Sequence, residues 1–155
     1  MTFSIRTVIR PDLLLDVLTG ELLADRAVAI DGNRIAGVVA AGDAPAEGPA
    51  FVDLPGQTVL PGMIDCHTHL VGEPDSGQVR CGQSPLAAIQ SATTHAAELI
   101  RSDDRIGRIA PGYLADVIAV NGNPLQDIRL LENAVFVMKD GVIQHHGLDT
   151  PAAQV

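Results

Sequence analysis

Two Asp-Gly turns, one near each end of the chain, constrain its fold more than any other feature. The first, Asp31-Gly32-Asn33, lies between the apolar runs 27–30 and 34–39. The second, Asp140-Gly141, lies between the runs 133–138 and 142–145. An Asp-Gly pair between β-like runs is a strong hairpin signal, because both residues tolerate the positive φ of a tight turn. The pattern therefore predicts antiparallel β-structure in both halves of the chain.

The remaining apolar runs are short and are bounded by Gly or Pro, which favours strands over long helices. Pro11 is expected to interrupt one strand, and Pro55-Gly56 is expected to separate two others. Residues 40–49 and 71–83, which carry several Gly and Pro residues, are expected to be loops. We predict the strands over residues 4–9, 13–17, 51–54, 57–60 and 116–121.

One segment has helical periodicity. Ser84 is a good N-cap, and Pro85 occupies the first helical position, where its missing N–H costs nothing. The helix is expected to end near residues 101–102. Its apolar stripe is predicted to consist of Leu86, Ile89, Thr93, Ala96 and Ile100. The predicted fold is therefore mainly β (α+β): a β-sandwich built from both chain ends, with one main helix.

Charge and composition exclude several kinds of partner. The chain has 155 residues, with 19 acidic against 10 basic side chains and a net charge of -9. There is no basic cluster, which argues against nucleic acid or an anionic membrane as a partner. No apolar run approaches the roughly 18 residues of a membrane span, and no signal peptide is evident. With two cysteines and no disulfide framework, we expect a cytoplasmic protein.

The stretch 60–70 ends in a His-x-His pair. As a strand, it would place His67 and His69 on one face together with Asp65, because alternate side chains share a face. Two neutral imidazoles on one face can bind a divalent cation such as zinc. A catalytic zinc, however, usually has three protein ligands. The alternative is that both histidines are simply polar residues at a strand end.

The other chemically capable side chains have simpler interpretations. A helical histidine is expected at the border of the apolar stripe, and two adjacent histidines near the C-terminus would face opposite ways. One cysteine is expected in the core, and the other lies in a loop without an adjacent base. An acidic pair is expected in a solvated turn. These residues are His95, His145, His146, Cys66, Cys81, Asp103 and Asp104. No nucleotide-binding glycine motif is present.

Several segments together resemble the metal-dependent amidohydrolase superfamily, especially its imidazolonepropionase-like and Xaa-Pro-dipeptidase-like branch. The segments are 31–35, 60–69, 84–125 and 137–141. The resemblance implies a (β/α)₈ barrel joined to a sandwich made from both termini, but such a barrel needs about 250 residues. Here the resemblance places the first barrel strand almost directly before the last barrel helix. It implies a composite domain of residues 1–59 and 108–155 and a barrel remnant of residues 60–107.

The resemblance also implies an activity. Family members use divalent metal, commonly zinc, to hydrolyse C–N bonds in small amides or dipeptides. It assigns His67 and His69 as metal ligands, whereas the family's bridging lysine, two later histidines and final aspartate would fall in the absent part. We therefore assign no catalytic residue and expect the shortened chain to be inactive. The alternative is a non-enzymatic β-sandwich module for structure or oligomerisation. Apolar faces left without a barrel favour a homo-oligomer.

Overall fold

The computed structural model describes residues 5–45, 48–66 and 82–147, and these ranges are mainly β-structure with two short helices. This confirms the predicted mainly β class. The helices are α1 (Pro85–Ser91) and α2 (Thr94–Leu99). The strands are β1 (Thr7–Asp16), β2 (Glu21–Ala24), β3 (Arg26–Asp31), β4 (Arg34–Ala40), β5 (Ala50–Pro61), β6 (Val117–Asn121), β7 (Phe136–Lys139) and β8 (Val142–His146).

The strands form one mixed sheet in the order β4-β3-β1-β5-β6-β7-β8, and β2 pairs with β1. β1 and β5 are parallel, whereas the other pairs are antiparallel. β5 pairs with β6 from Gln57↔Asn121 to Pro61↔Val117, so both chain ends contribute to the same sheet. The two-layer sandwich remains a prediction.

Two predicted strand interruptions are wrong. β1 continues through Pro11, and β5 continues through Pro55 and Gly56. The pairing between them shifts register after Pro11↔Leu54, so the extra residues of β5 form a bulge rather than a break. Gly56 adopts a φ of 72° there, and its N–H donates to Asp12 Oδ2 at 2.7 Å. Parallel pairing thus keeps Pro55 and Gly56 within one strand.

The predicted helix start is confirmed, but the single helix is not. Ser84 Oγ accepts a hydrogen bond from the Ala87 N–H at 3.2 Å. The helix then breaks at Thr93, whose φ and ψ of -132° and -91° are not helical and whose hydroxyl donates to the Ile89 carbonyl. Ile89, Thr93 and Ala96 are buried as predicted, whereas Ile100 is 47% exposed because the break changes the face presented.

The core consists of two clusters on opposite faces of β5. Neighbouring strand residues point to opposite faces, so Val59 lies in the first cluster and Leu60 in the second. The first cluster joins side chains from β1, β3, β4, β5, β6 and β7. The second lies under Ile89 of α1 and under the 3₁₀ turn Ile128–Glu132. From Gln57 to Pro61, β5 is therefore buried on both faces, which explains its almost continuous apolar run there.

Both predicted hairpins are confirmed, and their tips meet. Asp140 and Gly141 have φ values of 51° and 74°, as a two-residue hairpin turn requires. The Gly141 N–H donates to the Ala115 carbonyl at 3.0 Å, and the Ala115 N–H donates to the Asn33 carbonyl at 2.8 Å. A Cβ at Gly141 would collide with the Gly32 carbonyl oxygen. Only glycine allows this contact between the two ends of the chain.

Among the described residues, no helix is long and apolar enough to cross a membrane.

The short β2 was not predicted, because its four residues include Glu21 at the start and carry no alternating pattern. Its partner β1 pairs with it across the turn at Thr19-Gly20.

Replacing Gly141 with alanine tests the contact between the hairpin tips. We expect Gly141→Ala to lower the free energy of unfolding by about 3 kcal/mol, combining left-handed strain with overpacking. Gly32→Ala is the matched control, since its φ is also positive but its Cβ would meet no atom within 4 Å. We expect that control to cost about 1 kcal/mol in chemical denaturation. Equal losses for the two variants would contradict the contact.

Candidate functional site

The segment that leads to the His-x-His pair is not a strand in its described part. β5 ends at Pro61, and residues 62–66 leave the sheet. The Gly62 N–H donates to the Asp116 carbonyl at 2.9 Å, and the Ile64 N–H then donates to the Ala92 carbonyl at 2.8 Å, at the break between α1 and α2. The strand predicted over 60–70 is therefore wrong for residues 62–66, because the chain bends from β6 onto the helices.

His67 and His69, the predicted metal ligands, lie outside the described residues. Asp65, which the strand pattern placed on their face, is exposed. Within the described ranges, no three His, Cys, Asp or Glu side chains come together in a group that could hold a metal ion. The described residues thus contain no complete set of three protein ligands by themselves, the number that a catalytic zinc usually has.

A cleft of about 350 Å³ lies beside this segment. One wall is Gly62, Met63 and Ile64, and the other is formed by the outer face of β6 and β7. Gly62 favours this close approach, because a Cβ there would make a tight contact of 3.2 Å with the Asp116 Cβ. The remaining lining residues are Ile106, Gly107, Asp116, Ile118, Val137, Met138 and Lys139. The cleft is mainly apolar, and one ion pair lies in its wall.

That ion pair joins Asp116 to Lys139. Lys139 Nζ lies 2.6 Å from Asp116 Oδ2, and Asp116 Oδ1 accepts the Asp140 N–H at 2.8 Å. The hydrogen bond to Asp116 raises the pKa of the Lys139 ammonium above its ordinary value of 10.5, and partial burial opposes the rise. Lys139 is 57% exposed and Asp116 19% exposed, so solvent screens the pair considerably.

No pattern in the sequence predicted this pair. Asp116 was predicted as the first residue of a strand, whereas β6 begins at Val117. Since Val117 pairs with Met138, the preceding Asp116 lies opposite Lys139. The only signal in the sequence was Asp116 at the start of one apolar run and Lys139 just before the second Asp-Gly turn. It becomes informative only when the β6–β7 register is known.

Most of the other candidate residues lie at or near the surface, whereas the prediction of Cys66 as a core residue is wrong. His95 and His145 are exposed, as are the acidic pair Asp103 and Asp104. His146 is partly buried with its ring edge-on to Phe136, at a centroid distance of 5.7 Å. Cys66 is partly buried, with its Sγ 3.5 Å from the Ala96 carbonyl oxygen, so it packs on α2 rather than in the core. Cys81 lies outside the described residues.

Comparison with known proteins identifies the family. A family model for the amidohydrolase family matches residues 74–145. An imidazolonepropionase from Micrococcus luteus is 37% identical over 103 residues, which cover 64% of this chain and 25% of the relative. These matches support assignment of the chain to the amidohydrolase superfamily. The chain spans about a quarter of the length of this amidohydrolase relative.

Two further similarities agree with this assignment. Adenine deaminase 4 from Rhizobium meliloti is 43% identical over 63 residues, which cover 39% of this chain and 10% of the relative. A prolidase solved with N-methylphosphonate-L-proline aligns with a TM-score of 0.73, covering 90% of this chain and 99% of that chain. Because the prolidase is only 14% identical to this chain, the comparison shows a similar fold and nothing more. The family model and the imidazolonepropionase relatives support the resemblance inferred from the sequence motifs, at the level of the superfamily.

The pH dependence of stability tests the ion pair at the cleft. A raised pKa means that the stabilisation is fully present below the unfolded value of Lys139 and is lost as the pH rises through the folded value. We expect Lys139→Met to lower the free energy of unfolding by up to about 1 kcal/mol at neutral pH. The difference from wild type should then disappear in strongly alkaline solution.

Arg129→Met is the matched control, because Arg129 forms an exposed pair with Asp127 at 2.8 Å but its guanidinium does not titrate in this range. The difference in free energy of unfolding between Arg129→Met and the wild type should not shrink as the pH rises through the range in which lysine loses its proton. A Lys139→Met difference that is constant with pH would show that the ammonium charge contributes nothing.

Proposed function

We propose that this chain is an amidohydrolase-superfamily protein that keeps the β-module and has its barrel reduced to residues 60–107. The observation that carries the proposal is the pairing of β5 with β6. The strand that precedes the His-x-His pair and the strand that follows the helices are neighbours, and residues 62–116 are the whole connection between them. A (β/α)₈ barrel needs about 250 residues, which this connection cannot supply.

In this proposal, residues 1–59 and 108–155 form the composite domain, with the two layers predicted from sequence. The first core cluster supports that arrangement. It contains Ile35 of β4 and Val28 of β3 as well as Phe136 and Met138 of β7, although these strands lie towards opposite ends of the sheet order. The close approach of the hairpin tips at Gly141 and Gly32 supports a sheet that curls over one core.

The ancestral chemistry that we propose is hydrolysis of a C–N bond in a small amide. Relatives of this chain are named imidazolonepropionase and adenine deaminase, which favours a small cyclic substrate, with an Xaa-Pro dipeptide as the second class. The net charge of -9 and the absence of a basic cluster in the sequence support a protein of the cytoplasm without nucleic-acid or membrane partners.

The metal-binding capacity of a single chain is incomplete. His67 and His69 could contribute two imidazole ligands to zinc, and the family chemistry would use the metal to activate water. The family resemblance gives these two histidines no further ligand in this sequence, because the family's bridging lysine and two later histidines have no counterpart here. Two imidazoles fall short of the three protein ligands that a catalytic zinc usually has, so we assign no catalytic residue. We propose that the chain does not hydrolyse amides as it stands.

The second candidate function is a non-enzymatic module for structure or oligomerisation. The observation that favours it is apolar side chains that the described residues leave uncovered. Met63 beside the cleft is 42% exposed, and Leu99 and Ile100 at the end of α2 are 69% and 47% exposed. A barrel or another chain would cover such side chains.

Zinc binding and amide turnover, measured on the same preparation, test the proposal. We expect weak zinc binding that dialysis removes, as measured by elemental analysis. We expect His67→Ala with His69→Ala to weaken zinc binding by about tenfold or more, because two imidazoles are then lost. The control is His145→Ala with His146→Ala, a second histidine pair in the same chain, which should leave zinc binding unchanged.

Turnover is measured with added zinc on imidazolonepropionate and on an Xaa-Pro dipeptide. We expect the wild type to be no faster than the His67/His69 double variant. One zinc retained per chain together with zinc-dependent hydrolysis would overturn the proposed inactivity. Hydrolysis that the double variant retains would point to a contaminating enzyme.

A further inference from the structure

A second cavity, of about 170 Å³, lies where α2 meets the segment that follows it. It shares only Ile106 with the cleft beside Met63. Three of its lining residues carry charged side chains, one basic and two acidic. Its wall includes Thr94, Glu98, Asp103, Ile106, Arg108 and Tyr113. A cavity this small suits a ligand of few atoms, because sites for drug-sized molecules have about 300–1,000 Å³.

Contacts within the fold hold the wall of this cavity in place. The Gln90 side-chain amide donates to the Val17 carbonyl at 2.8 Å, which holds Leu18, a further wall residue, against the helices. The Leu114 N–H donates to the Arg105 carbonyl at 2.8 Å and closes the loop that carries the basic and the aromatic residue of the wall. The cavity is therefore formed before any ligand binds.

Arg108 supplies a guanidinium whose hydrogen-bonding groups are unused. Arg108 is partly buried, and its guanidinium carbon lies 5.6 Å from the centre of the Tyr113 ring. Within the described ranges, no hydrogen bond or ion pair involves this guanidinium. A guanidinium that packs on an aromatic ring keeps its N–H groups in its own plane, where they can bind both oxygens of a carboxylate. Arg108 is therefore available to a ligand carboxylate.

The two acidic residues of the wall also lack an opposite charge. Neither the Glu98 nor the Asp103 carboxylate forms an ion pair with a described residue, although Arg108 lines the same cavity. Tyr113 contacts both sides, because its hydroxyl donates to the Asp103 carbonyl at 2.7 Å while its ring lies against the guanidinium. One positive and two negative groups thus border one space without pairing with each other.

These charges select the class of ligand. A simple anion could bind Arg108, but Glu98, Asp103 and the chain's net charge of -9 would repel it. A simple cation could bind the acidic residues, but the guanidinium would repel it. A small molecule with one carboxylate and one ammonium group satisfies both sides. Leu18 and Ile106 offer apolar contacts to a short aliphatic side chain on that molecule.

We propose that this cavity binds a small free α-amino acid, with the ligand carboxylate on Arg108 and the ligand ammonium on Glu98 or Asp103. The site uses neither of the histidines of the proposed metal chemistry, so it is a binding site independent of that function. For so small a ligand, the dissociation constant is expected to be on the order of a millimolar.

Titration of the 155-residue chain with L-alanine, followed by two-dimensional NMR, tests the proposal. We expect saturating shifts at the amides of Thr94, Glu98, Arg108 and Tyr113. Acetate and methylammonium each carry only one of the two charges, so each is expected to bind about tenfold or more weakly than L-alanine. Equal binding of all three compounds, or no saturating shift with L-alanine, overturns the proposal.

The basic side of the cavity is tested by Arg108→Met, which should weaken L-alanine binding about tenfold or more. Arg101→Met is the matched control, because Arg101 is a nearby exposed arginine that does not line the cavity. It should leave the affinity for L-alanine unchanged. Equal losses of affinity in the two variants contradict the site.

The acidic side gives a second test that does not disturb the packing of the guanidinium on the ring. Glu98→Gln combined with Asp103→Asn should weaken L-alanine binding and strengthen acetate binding, since the repulsion of the anion is then removed. The control is Asp104→Asn combined with Glu132→Gln, two exposed acidic residues outside the cavity, which should change neither affinity. L-alanine binding that survives the first pair of changes undiminished overturns the proposal.

Discussion

The pairing of β5 with β6 is the interaction on which the rest of the structure depends. Among the strands of the described ranges, it is the one pair that joins the N-terminal strands to the C-terminal strands, and five residue pairs form it. The second half of β5 is buried on both faces, with Val59 and Leu60 in different core clusters. Loss of this pair would divide the sheet in two and expose both clusters. Burial of each such aliphatic side chain contributes roughly 1.5–3 kcal/mol, so the loss would be large for a domain of this size.

The hairpin tips add a second connection between the two halves. Ala115, just before β6, bonds both tips through its own N–H and carbonyl. The contact requires glycine at position 141, so a local turn signal in the sequence also serves a long-range contact. The same region contains the Asp116–Lys139 pair and one wall of the cleft. The cleft thus adjoins the region where the two hairpin tips meet.

Local signals predicted local structure well. The Asp-Gly hairpins and the Ser84-Pro85 helix start were predicted correctly, because a few neighbouring residues determine them. Pro11 and Pro55-Gly56 were wrongly predicted as breaks, because the parallel partner strand absorbs them in a bulge. The bend at residues 62–66 and the Asp116–Lys139 pair depend on contacts between residues distant in sequence. No local pattern can predict them. The family was identifiable from motif order, whereas the metal-ligand role of His67 and His69 remains a prediction.

Our account holds that the two ends of the chain form one cooperative unit that needs no barrel. Native-state hydrogen exchange measured by NMR on the 155-residue chain tests this most directly. The account predicts that buried amides of β5 and β6, such as those of Val59 and Ala119, open with the same free energy as those of β1, because all belong to one unit. If β6, β7 and β8 instead exchange at a clearly lower free energy than β1, β3 and β5, the two halves open separately and the account is wrong.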